Sequence, residues 1–118
     1  MTEPRTVTIR TEDRGDVTIP EPGWCVGHEG QRPELFSDTL HQGPDVELAF
    51  RGYLVGTAGL VQSPYALEVT HLPEASVSLL GQTLDPAGLD EWAAVLVEHA
   101  ARLRHLAREL AALLGGDR

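Results

Sequence analysis

The 118-residue chain predicts an α+β fold: a mostly antiparallel sheet of about five short strands, followed by one long C-terminal helix. Three observations carry this. Apolar residues alternate in short segments through the first two thirds. Turn residues separate those segments. From Asp85 to Leu114 the pattern becomes almost unbroken helix. The length corresponds to a single domain over 1–118, with a β-rich part over 1–81, an irregular loop over 20–33 and a helix over 85–114.

Val7 and Ile9 alternate with Thr6, Thr8 and Arg10, as in a half-buried strand. Val17 and Ile19 resume after the polar turn Glu12-Asp13-Arg14-Gly15, which suggests a hairpin. Pro20 to Pro33 holds three prolines and three glycines, a density that defeats both helices and ladders. Leu40-His41 reads as a short strand ending at Gly43-Pro44-Asp45. Val46, Leu48 and Phe50 form the next, Arg51-Gly52 a tight turn, and Tyr53 to Gln62 the return strand. Gly56 and Gly59 within that strand predict a bulge or a close neighbouring backbone. Leu67, Val69 and His71 share one face of a further strand, and Val77 and Leu79 mark the last.

The helix is well punctuated. Asp85 can cap free N–H groups, Pro86 suits the first helical position, and Gly115 and Gly116 end it. Leu89, Leu96, Leu103 and Leu110 recur every seven residues, and Ala93, Ala100, Ala107 and Leu114 follow each by four. That 4-3 spacing lines a seam against another helix. Trp92, His99, Leu106 and Leu113 form a second strip beside it. About 29 residues rise roughly 43 Å, whereas the sheet's diagonal is under roughly 30 Å. The expected overhang exposes Leu106, Leu110, Leu113 and Leu114, and leaving four leucines wet forfeits on the order of 6 kcal/mol. A second copy of the helix is the simplest cover, so both strips are candidate homodimer interface.

Composition excludes several classes. The net charge of −9 opposes direct contact with nucleic acid. No apolar run is long enough to span a membrane, and no secretory signal is visible. Cys25, the single cysteine, fits a reducing cytoplasm. Every basic residue is arginine, a bias that suggests a GC-rich genome.

Cys25 and His28 have C-x-x-H spacing, and His41 lies thirteen residues on. Thiolate and imidazole are zinc ligands, and a structural ion would order a loop rich in proline and glycine. Glu21, Asp38 and His71 are candidates for a fourth ligand. The competing reading packs Trp24 and Cys25 in the core with His28 on the surface. A nucleophilic Cys25 would need a base in reach and an orienting group, a geometry that a histidine three residues away seldom provides.

Glu21-Pro22-Gly23-Trp24-Cys25-Val26-Gly27-His28, His41-Gln42-Gly43-Pro44, Val77-Ser78-Leu79 and Leu84-Asp85-Pro86 together resemble a family of small actinobacterial proteins of unknown function. The resemblance covers nearly the whole chain, and its most specific element is W-C-x-x-H followed by H-x-G-P. In many members of that family a cysteine precedes the tryptophan by about three residues. Here Glu21 stands in that place, which implies an oxygen ligand if a zinc site is complete. The resemblance implies a β-then-α layout and brings no activity. The reading is therefore a non-enzymatic cytoplasmic interaction protein that forms a homodimer. The alternative is an accessory or regulatory module, stabilised by a single structural zinc ion, that binds another protein.

Overall fold

The computed structural model describes residues 5–115. Antiparallel β-structure precedes one long C-terminal helix, the α+β arrangement that the alternation and the helical tail predict. The chain divides into two compact units. One comprises the chain up to Pro44 together with Leu60–Glu74, and the other Asp45–Gly59 and the chain from Ala75.

In the first unit, β1 (Arg5–Thr11) and β2 (Gly15–Glu21) form an antiparallel hairpin in which Val7 faces Ile19 and Ile9 faces Val17. The turn closes because Gly15 adopts a φ of 66° and the Thr11 hydroxyl donates to its carbonyl. β2 continues through Pro20 to Glu21, two residues into the stretch expected to be irregular. A two-stranded ribbon tolerates a proline because one edge of each strand is free. The segment after the loop is tied back to the hairpin where the Glu12 amide donates to the Glu34 carbonyl, at 2.8 Å. A short 3₁₀ turn, Phe36–Asp38, precedes β3 (His41–Gln42), which pairs with residues 61 and 62. Gly43 donates to the Leu60 carbonyl, and a Cβ there would lie 3.3 Å from Leu60 Cβ and 3.5 Å from the Trp24 ring.

The second unit is built on β4 (Val46–Phe50) and the part of β5 (Tyr53–Gln62) up to Gly59. Arg51 and Gly52, both at positive φ, make the two-residue turn that suits a twisted hairpin. A bulge falls between Leu48 and Ala49, opposite the Gly56 region. β6 (Glu74–Leu79) pairs with β5, and a Cβ on Gly56 would sit 3.0 Å from the Ser78 carbonyl oxygen. The close neighbouring backbone expected at this glycine is therefore present.

Leu67–His71 is not a strand. The residues form an exposed loop between Pro64 and Pro73, which the His71 ring closes by bonding to the Ala66 carbonyl at 2.6 Å. Their period-two spacing had no partner strand to give it meaning.

Helix α1 (Pro86–Leu113) is capped by Asp85, whose carboxylate accepts from Gly88 N at 2.8 Å, and stops where Gly115 takes a φ of 87°. Gly116 lies outside the described residues. Leu48, Phe50 and Val55 form a buried cluster against which Leu84, Trp92, Val95 and Leu96 pack. Phe50 and Trp92 meet edge to face at 4.8 Å, and Arg102 donates to the Glu47 carbonyl. The helix thus turns the Trp92–His99–Leu106 strip inward. Residues seven apart return to nearly one azimuth on a helix, so Trp92, His99 and Leu106 turn inward together, while Leu113 at the end of the strip is exposed. His99 and Leu106 are buried and Leu110 half-buried, so the expected exposure of all four late leucines holds only for Leu113 and Leu114. Leu89 and Ala93, on the flanking strip, remain exposed.

Candidate metal centre

All four donors named from the sequence meet in the first unit. Glu21 ends β2. Cys25 and His28 sit on the following loop, and His41 opens β3. One ligand atom from each lies within 4.8 Å of the others. Asp38 and His71 are not among them, and His71 is committed to its own loop.

Local backbone bonds set the loop. Cys25 N donates to the Pro22 carbonyl, which curls the chain back after the strand. Val26 N donates to Gln42 O, which brings the loop against β3. Gly27 then turns at a φ of 102° and directs its N–H to the Cys25 sulfur at 3.4 Å. That turn returns His28 to the side on which Cys25 lies.

The His28 Nε2 atom is the hub. It lies 3.2 Å from His41 Nδ1, 3.3 Å from Glu21 Oε2 and 3.7 Å from Cys25 Sγ. A single ring nitrogen directs one lone pair or one N–H, so it cannot serve three polar partners by hydrogen bonding. Zinc bonds of about 2.0 Å to nitrogen and oxygen and about 2.3 Å to sulfur give tetrahedral edges of about 3.3 to 3.6 Å. The three separations around Nε2, from 3.2 to 3.7 Å, bracket that range.

The surroundings orient these donors. The outer nitrogen of His28, Nδ1, lies 3.2 Å from Gln31 Oε1, an acceptor that suits the tautomer with its proton on Nδ1 and the Nε2 lone pair facing inward. Arg5 Nε donates to Glu21 Oε1 at 2.5 Å, and its terminal nitrogen donates to the Cys25 carbonyl at 2.7 Å. Glu21 Oε2 is then left buried without a hydrogen bond. A buried carboxylate oxygen in that position is costly unless a cation meets it. Burial holds the His41 pKa below its usual value, and the neighbouring His28 lowers it further, with Glu21 opposing; the neutral, ligating form is favoured. One carboxylate and one thiolate would neutralise a divalent ion.

Cys25 also has His28 Nε2 within 3.7 Å, a contact that the sequence reading did not expect. The cysteine is nevertheless only 4% exposed, and that nitrogen is shared with two other donors. Arg5, Gly27 and Gln31 were not anticipated. Gln31 follows His28 at the three-residue spacing of a turn, which is a weak signal; nothing in the sequence marks Arg5.

The chain matches a domain family over residues 6–112, a span that includes all four donors and nearly all of the helix. It belongs to DUF6907, a domain of unknown function. No curated protein and no solved structure matches this DUF6907 chain. Among its described residues no helix is long and apolar enough to cross a membrane.

Proposed function

We propose that this DUF6907 domain is a zinc-stabilised, non-enzymatic accessory module that acts by binding another protein. The observation that carries the zinc reading is the set of separations around His28 Nε2, which match tetrahedral edges while Glu21 Oε2 lacks any hydrogen bond. Four protein ligands leave no open position for substrate, so the ion's role is structural. It would pin the end of β2, the loop and the start of β3 together, in a segment with little regular structure of its own. Ion binding is then folding free energy for this unit. Elemental analysis of protein purified without added metal tests this: one zinc per chain is expected, and metal-free protein whose melting is indifferent to added zinc contradicts it.

Self-association through α1 is a second reading, favoured by one specific observation. Leu89 on the helix is 58% exposed, and Leu114, just past its C-terminal end and near the same azimuth, is 46% exposed. Their burial against a second copy supplies a driving force. The two readings are compatible, since the metal donors and the helix belong to different units.

A further inference from the structure

A cavity of about 250 Å³ in the first unit is lined by residues of β1, Thr8 to Thr11, and of the loop, among them His28 and Gly30 to Arg32. The first unit holds four arginines. Arg5 bonds to Glu21 and Arg14 lies over the Phe36 ring, whereas the side chains of Arg10 and Arg32 make no ion pair or hydrogen bond among the described residues. Both of these unpartnered arginines line the cavity. Glu34 lines it too and pairs with neither, so the guanidinium donors are not consumed internally.

We propose that this cavity binds a small dianionic oxyanion, a phosphate group or a short dicarboxylate, held between Arg10 and Arg32. Guanidinium groups present planar pairs of N–H donors that match carboxylate and phosphate oxygens, and two of them favour a doubly charged ligand over a single charge. The volume suits a ligand of this size. Gln31 also lines the cavity and bonds to His28 Nδ1, so an anion there lies next to the outer hydrogen bond of the metal centre. The site itself stands on the cavity and the arginines and does not require the ion.

The test is a titration of the full chain with inorganic phosphate at low ionic strength, followed by amide and arginine side-chain NMR signals, with succinate and acetate as parallel arms. Saturable shifts confined to Thr11, Gln31, Arg32 and their neighbours are expected, with acetate weaker than either dianion. The stronger of phosphate and succinate identifies the ligand's oxyanion. The Arg10→Gln/Arg32→Gln variant should weaken binding at least tenfold while its spectrum elsewhere stays unchanged. Each single variant is a second measurement should the double variant not fold. An absence of saturable shifts, or equal affinity in a folded variant, overturns the proposal. Zinc content is read separately on the same samples, so failure of the metal reading and failure of this one are told apart.

Discussion

Arg5 on the first strand holds one oxygen of Glu21 at 2.5 Å and leaves the other facing His28. This contact decides what the carboxylate can do. With Oε1 occupied by a guanidinium, Glu21 offers a single oxygen to the cluster, in a fixed direction. A long side chain at the end of a strand is otherwise free to rotate away.

Replacing Arg5 should therefore weaken zinc binding without removing a ligand. Arg5→Gln is expected to lower affinity by about 10- to 100-fold, the usual range for an outer-shell partner. Competition against a chromogenic chelator measures it. An unchanged affinity would mean that Glu21 is positioned by something else.

The His99 imidazole makes the helical unit sensitive to acid. Burial lowers its pKa, and the nearby Arg102 lowers it further. The unfolded chain then takes up a proton at a pH where the folded chain still refuses it. Stability from this group is complete above about pH 6.5 and declines as pH falls through that value toward the folded pKa. Because His99 Nδ1 is also buried without a partner, His99→Leu removes both costs. Urea denaturation between pH 7.5 and 5.5 should show a shallower acid loss in the variant than in the parent; parallel curves would refute the assignment.

Gly56 is required by contact and not by backbone conformation. A methyl group there meets the Ser78 carbonyl oxygen at 3.0 Å and Leu79 Cδ1 at 3.1 Å. Gly56→Ala should cost about 1–3 kcal/mol by pushing β6 from β5. Gly81→Ala, where a Cβ meets nothing within 4 Å, should stay within about 0.5 kcal/mol. Equal stabilities for the two variants in chemical denaturation would contradict this account of β6.

Much of this was legible in the sequence, because local chemistry fixed it. The Asp85-Pro86 start, the Arg51-Gly52 turn and the alternation over Val46–Phe50 appear where their residues place them. Cys25 and His28 announced themselves by spacing, and His41 by its place beside a strand. Spacing alone could not rank Glu21, Asp38 and His71, because the choice depends on which chain segments fold together; only the family resemblance put Glu21 forward. Leu67–His71 misled for a related reason: alternation describes a strand only if another strand lies beside it. On the helix, the sequence shows both strips and assigns both to pairing between copies. Only the Leu48–Phe50–Val55 cluster shows which of two adjacent strips turns inward.

If the bare flank of α1 mediates pairing, the chain should sediment as a dimer at tens of micromolar. Leu89→Glu combined with Leu114→Glu should return it to a monomer with its helical content intact. A parent protein that is monomeric at that concentration removes the self-association reading and leaves the metal centre untouched.

The ligand set itself is the most direct test of the central claim. X-ray absorption at the zinc edge should report one sulfur at about 2.3 Å and three nitrogen or oxygen neighbours at about 2.0 Å. Cys25→Ser should lose the sulfur shell alone. A six-coordinate shell of light atoms, or more than one sulfur per zinc, would contradict a closed site built from Glu21, Cys25, His28 and His41.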